Sequence, residues 1–275
     1  MTIDRERLRT QHSAPSTSSA PIGVFDSGVG GLTVFREINR ALPHESLIYL
    51  GDSARVPYGT KSPATVVRYS LEAAHHLMQR GIKMLVVACN TATAAALPEL
   101  KAALPIPVIG VVEPGARAAI ERTRGRVGVI ATEGTVKSHA YTKAIHALDP
   151  KVVVIECAAP LFVPLAEEGW ANTHVAREVA EVYLEPLIDE GIDTLVLGCT
   201  HYPILRGTIE KVVGDAIAIV DSAETTAQCV KMLVEPNTNG EPEHHFLVTD
   251  AEERFRRIAA EFLSREIASL ELVSL

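Results

Sequence analysis

The chain has only four cysteines in 275 residues, at positions 89, 157, 199 and 229, and no C-x-x-C pair among them. This spacing supplies neither a zinc ribbon nor the staples of a small disulfide scaffold, so reduced thiols are expected, and any that matter should matter chemically. No apolar run approaches the roughly 20 residues that cross a bilayer, so a membrane is not an expected partner. Basic charge is also short: 26 Lys and Arg against 34 Asp and Glu leave a formal net charge of −8. That balance argues against nucleic acid as the primary partner, because neutralising phosphates needs a basic face. The local run "ERTRGR" from Glu121 to Arg126 reads as a solvated turn. The first 20 residues, rich in Ser, Pro and Thr, lack the apolar core of a secretory signal. Residues 1–20 are read as a disordered leader and the protein as cytoplasmic.

What the chain does have is a regular alternation. Short apolar, β-branched runs recur at "IGVF" (22), "LIYL" (47), "MLVVA" (84), "PVIGVV" (107), "VGVI" (127), "VVVIE" (152), "TLVLG" (194), "IAIV" (217) and "FLVT" (246). Each reads as a strand buried on both faces. Between them lie helical stretches with legible ends. In one, Ser62 is the N-cap, Pro63 the first residue, Val67, Leu71, Ala74 and Met78 one face, and Gly81 the stop. Another, "NTHVAREVAEVYLEPLIDEG", should end or kink early at Pro186. The alternation predicts an α/β fold with mainly parallel sheets and right-handed crossovers.

The pattern also repeats. "IGVFDSGVGG" from Ile22 aligns with "VGVIATEGTV" from Val127 at an offset of 105 residues, and Cys199 follows Cys89 by 110. Two pseudo-symmetric domains account for this: residues 21–113, with 223–275 packing back on them, and residues 114–222. In open parallel sheets ligands bind beyond the carboxyl ends of the strands. Both "LVVACNTATA" and "LVLGCTHYPIL" place a cysteine there, which puts the active site at the interdomain cleft.

Cys89 and Cys199 each stand between a strand and an expected helix start, where orphan N–H groups favour a thiolate. Cys157 and Cys229 have no comparable setting and read as packing residues. The first turn, "FDSGVGGLT", fits neither G-x-G-x-x-G nor a P-loop, but its backbone donors suit a small carboxylate. Asp26 ends the first strand at the same rim as Cys89, or simply caps the following helix. His201 is placed to orient or exchange protons with a group at its strand end. A zinc site built on Cys199 and His201 would lack further ligands, so no metal is expected. Asn90, Thr91, Thr93 and Thr200 are uncharged donors suited to holding a carboxylate. Thr132 and Thr135 do the same in the second copy, or merely cap a helix. "GDSARVPYG", Gly51 to Gly59, lies where a lid or substrate loop would be.

Six segments in order, "IGVFDSGVGGLTV", "GDSARVPYG", "VVACNTATA", "PVIGVVEPG", "PLFVPLAEEG" and "LVLGCTHYPIL", resemble the signature segments of bacterial glutamate racemases in the aspartate/glutamate racemase superfamily. The resemblance covers nearly the whole chain after the leader. It implies that Cys89 and Cys199 are two acid/base thiols, that Asp26 assists the first, and that Glu167 and His201 assist the second. It implies substrate contacts from Asp26, Ser27, Tyr58, Gly59, Asn90, Thr91, Thr200 and His201, a homodimer, and a role in supplying D-glutamate for peptidoglycan. Inverting an amino acid at Cα needs a base on one face and an acid on the other, with roles exchanged in reverse, which is what a duplicated half-site provides. Neither cysteine turn holds a lysine for pyridoxal phosphate, so cofactor-independent chemistry on glutamate is expected. The alternatives are racemisation of another acidic compound in the superfamily and a regulatory binding role, for example toward DNA gyrase.

Overall fold

The computed structural model describes residues 19–235, 237 and 241–275. Most of the leader therefore lies outside the described residues. All nine apolar runs form strands: β1 (Ile22–Asp26), β2 (Leu47–Gly51), β3 (Met84–Val87), β4 (Val108–Gly110), β5 (Arg126–Ala131), β6 (Val153–Ala158), β7 (Thr194–Gly198), β8 (Ala218–Asp221) and β9 (His244–Val248). A short β10 (Glu271–Leu272), both of whose residues are exposed, completes the set. Its two residues carry no apolar run from which a strand would be read.

The strands form two sheets in which every pairing is parallel, ordered β10-β9-β2-β1-β3-β4 and β6-β5-β7-β8. The order β2-β1-β3-β4 in the first sheet has the same connectivity as β6-β5-β7-β8 in the second, so the sequence repeat is a repeat of topology. Gly31 precedes helix α1 (Leu32–Ala41), and α2 (Pro63–Gln79), α3 (Asn90–Ala103) and α4 (Val112–Arg122) follow; α5 (Glu133–Ser138), α6 (Ala140–Leu148), α7 (Phe162–Glu167), α8 (His174–Asp189) and α9 (Arg206–Val213) belong to the second copy; α10 (Ser222–Leu233) and α11 (Glu252–Leu263) return to the first. The returning segment brings strands as well as helices, since β9 pairs with β2 from His244 opposite Leu47 to Val248 opposite Gly51.

Helix α2 starts as its sequence dictates: Ser62 Oγ accepts from Thr65 N, Pro63 takes the first position, and Gly81 follows the end at φ +74°. Its buried stripe is Val66, Ser70, Ala73, Ala74 and Leu77, so Val67, Leu71 and Met78 sit on the flank of the expected face. Pro186 does not stop α8, which runs on to Asp189. The proline deprives only the Val182 carbonyl of its helical partner, and Val182 is 71% exposed, so water can serve that group. Among the described residues no helix is long and apolar enough to cross a membrane.

Candidate active site

The carboxyl ends of the two sheets face each other, and glycine backbone lets them approach. A Cβ at Gly30, in the turn after β1, would overlap Thr200 Oγ1 and the His201 ring of the opposite copy. A Cβ at Gly59 would lie 2.9 Å from Thr132 Cβ, and one at Gly134 would lie 2.8 Å from the Gly59 carbonyl. These contacts fix the seam between the copies. Thr33, from the start of α1, donates across it to the Thr200 carbonyl at 2.8 Å.

Cys89 is the N-cap of α3, its Sγ accepting from Ala92 N at 3.4 Å, and its thiol reaches Ser27 Oγ at 3.5 Å. Burial, with the nearby Asp26 charge, pushes this thiol up to about 12, against the help of Ser27 and the Ala92 amide. The helix start alone therefore does not make Cys89 a thiolate: desolvation outweighs the dipole that the sequence advertises. Asp26 Oδ2 accepts from Gly28 N at 2.8 Å and Oδ1 from Thr200 Oγ1 at 3.5 Å, so the carboxylate braces its own turn and also reaches the opposite copy. Burial raises its pKa, with His201 and the Gly28 and Gly31 amides pulling it back.

Cys199 Sγ lies 3.8 Å from His201 Nδ1, and His201 Nε2 lies 3.0 Å from Glu167 Oε1. Burial opposes a charge on His201, but its bonds to Cys199 and Glu167 override this and raise it to about 10. Glu167 is lowered: burial works against its charge, and His201 and Arg254 more than offset it. The two buried cysteines thus have unlike surroundings, one held neutral and the other beside an imidazolium.

The sign of the linkage gives a pH test. A His201 pKa raised from about 6.5 contributes stability that is complete below about pH 6.5 and disappears as pH climbs through about 10. The lowered Glu167 contributes above its unfolded value and loses that contribution as pH falls through its folded one. His201→Gln is therefore expected to be less stable than the parent by on the order of a few kcal/mol near neutral pH, with the gap closing toward about pH 10. Chemical denaturation at several pH values measures it. A gap that stays constant or widens with pH would contradict a charged His201.

Thr91, Thr132 and Thr135 hydroxyls form a triangle across the seam, with Oγ1 separations of 2.8, 3.3 and 3.1 Å. Thr132 also caps α5 by accepting from Thr135 N, which is the capping reading of this threonine. Asn90 Oδ1 accepts from Tyr141 OH at 2.7 Å, while its Nδ2 is buried without a protein partner. An unpaired buried donor is costly unless something accepts from it, which makes this amide a candidate ligand contact. Tyr58 is buried, and its hydroxyl donates to Asp52, which also holds Arg55 Nε at 2.6 Å and Thr249 Oγ1 at 3.0 Å. The "GDSARVPYG" segment is thus a braced loop, with Gly59 against Thr132.

Asp26, Ser27, Gly59, Asn90, Thr91, Thr132, Thr135, Thr200, His201, Glu167 and both cysteines gather along the seam; Tyr58 braces it from the side through Asp52. Cys157 and Cys229 lie elsewhere, half-buried against the core. Sequence reasoning did not single out Tyr141, Thr33 or Arg254. Each sits on a helix with ordinary periodicity, and only its long-range partner marks it. Among the described residues no group of three or more His, Cys, Asp or Glu is placed to hold a metal ion.

Two thiols at equivalent strand ends of a duplicated parallel α/β unit are the arrangement of a racemase-like site, and residues 22–230 match the family model for Asp/Glu/Hydantoin racemase. The chain belongs to the Asp/Glu/Hydantoin racemase family. Within it, the chain is 55% identical over 260 residues to a glutamate racemase of Geobacter metallireducens, covering 92% of this chain and 96% of the relative. A glutamate racemase isoform structure from Bacillus anthracis superposes with a TM-score of 0.88 at 45% identity, covering 93% of this chain and 98% of the other. The Francisella tularensis glutamate racemase, solved in complex with D-glutamate, gives 0.86 at 39% identity, with coverage of 93% and 98%.

Proposed function

We propose that this chain interconverts L- and D-glutamate by proton transfer at Cα between two thiols, without an added cofactor. The observation that carries the reading is the pair of buried cysteines at equivalent strand ends, Cys89 after β3 and Cys199 after β7, each with its own acid partner. In one direction Cys199, as thiolate, takes the α-proton and becomes a thiol, while Cys89 gives its proton to the opposite face and becomes a thiolate. The reverse direction exchanges the roles, and proton exchange restores the starting charges between turnovers. Asp26 serves the Cys89 side, and His201 with Glu167 the Cys199 side. Ser27, Gly59, Asn90, Thr91, Thr132, Thr135 and Thr200 are the candidate donors for the substrate carboxylates, with Tyr58 supporting the loop. Preorganised donors in a water-poor seam stabilise the charge that develops at Cα.

The relatives named as glutamate racemases support glutamate over other acidic substrates. In the same reading residues 21–113 with 223–275, and residues 114–222, are two domains closing on the substrate. The protein acts in the cytoplasm as a homodimer, and its D-glutamate enters peptidoglycan.

Incubating the purified protein with L-glutamate in D₂O, with no added cofactor, tests the activity. Optical rotation is expected to decay to zero while the α-proton signal is replaced by deuterium. Persistence of both signals would rule out glutamate racemisation. Retention of activity after treatment with carbonyl reagents is the expected companion result.

A further inference from the structure

The two half-sites are not supported equally. Asp26, beside Cys89, takes its hydrogen bonds from uncharged groups, the Gly28 and Gly31 amides and the Thr200 hydroxyl, with the His201 charge acting on it without a hydrogen bond. Glu167, beside His201, is held by a charge. Its Oε1 engages His201 Nε2 at 3.0 Å and its Oε2 engages Arg254 Nη2 at 2.9 Å; the same nitrogen reaches Glu168 Oε1 at 3.2 Å. Arg254 stands on α11, at the far end of the chain from either cysteine turn. That helix touches the Cys199 half-site a second time: the Phe262 ring lies edge-on to the His201 ring, at 82° with centroids 5.7 Å apart. The helix is itself pinned to the first sheet's layer, by Arg36 Nη1 on the Phe262 carbonyl at 2.9 Å and by Phe255 against Tyr49.

We propose that Arg254 is a positioning residue for proton transfer at Cys199, fixing Glu167 so that Glu167 holds His201 toward the sulfur while Phe262 blocks the ring from turning away. The inference rests on the racemase reading of the site. Arg254 touches no reacting atom. It acts because a carboxylate accepting from both sides has one orientation, whereas a carboxylate with a single partner can rotate, and a His201 ring that follows it weakens the charge beside Cys199. The groups facing His201 are Cys199 on its own turn, Glu167 on α7, Asp26 at the end of β1 and the uncharged Phe262 on α11.

A rate alone cannot locate the effect. The equilibrium constant between the two hands is one, so kcat/KM must be equal for L- and D-glutamate in every variant. The α-deuterium isotope effect on kcat/KM can locate it. Slowing proton transfer at Cys199 makes removal of the α-proton more rate-limiting for the hand that faces Cys199, so the isotope effect rises. For the other hand, slow reprotonation by Cys199 lets the Cys89 step approach equilibrium, so the isotope effect falls.

The measurement compares α-deuterated and ordinary L- and D-glutamate with the full-length parent, Arg254→Met, Arg254→Lys and Glu167→Gln. Arg254→Met is expected to lower kcat/KM about three- to tenfold, the range of a partly exposed charge-assisted bond. Its isotope effects should shift in opposite directions for the two hands, with the same signs as in Glu167→Gln, and Arg254→Lys should lie between it and the parent. If Arg254→Met does not fold, the same signs in smaller measure are required of Arg254→Lys. Unchanged kinetics, or shifts of one sign for both hands, would overturn the positioning role while leaving the racemase reading intact. A parent that does not racemise glutamate overturns that reading and this inference together.

Discussion

Cys199→Ala and Cys89→Ala are each expected to lose racemisation by more than about a thousandfold, the upper part of the range for removing a positioned acid or base. The loss should have a particular form. Each variant keeps one thiol on one face of the substrate, so it can still lift a proton from one hand of glutamate and return one to the same face. In D₂O, any remaining α-deuterium incorporation should therefore be confined to one hand without inversion, and the two variants should prefer opposite hands. Near-parental inversion by either variant would overturn the two-thiol scheme. The variants should also differ in stability. Cys89 caps α3 through the Ala92 amide, so its replacement is expected to cost about 0.5–2 kcal/mol of folding stability. Cys199 is not assigned such a cap, because a short 3₁₀ turn from Tyr202 to Leu205 follows it. Cys157→Ala, a half-buried packing position, serves as the control that should retain inversion.

Gly30→Ala is the second large effect. A single methyl at this position would occupy the space of Thr200 Oγ1 and the His201 ring. Neither group is the free end of a flexible chain. Thr200 Oγ1 donates to Asp26, and His201 is held by Cys199, Glu167 and Phe262. Overpacking of this kind costs about 1–3 kcal/mol of stability. The expected cost to kcat/KM is larger, about a hundredfold or more, because the seam must open by roughly an ångström and catalysis is sensitive to displacements of that size. Gly207→Ala, where a Cβ meets nothing within 4 Å, should leave activity near the parent's. Steady-state kinetics and thermal unfolding of both variants test the claim. A folded Gly30→Ala enzyme with parental kcat/KM would show that the seam is not held at this distance in solution.

Much of this site is legible in the sequence because its elements are local. A strand followed by Cys89 and then a helix opening on Asn90 and Thr91 is a local instruction, and so is Asp26 followed by Ser27 and Gly28. Ser62, Pro63 and Gly81 bound their helix for reasons contained within a few residues. The stripe on that helix was displaced by one residue, and Pro186 did not end its helix. In both cases the neighbour on the outside, a partner sheet or water, decided what the local pattern left open.

By itself, then, the sequence determined a duplicated, parallel α/β chain with a cysteine at an equivalent strand end in each copy, because apolar period, helix caps and repeats are written within short stretches. The tertiary structure alone decided how the copies meet: Gly30 under His201, Tyr141 on Asn90, three threonines sharing one triangle, and Arg254 behind Glu167. Their partners lie 171, 51, 41 to 44 and 87 residues away along the chain. It also decided the electrostatics, since two strand ends that look alike in the sequence become a helix N-cap with Cys89 raised by burial and a 3₁₀ turn with an imidazolium beside Cys199. Burial and long-range Coulomb fields are properties of packing across the seam, which no local pattern encodes.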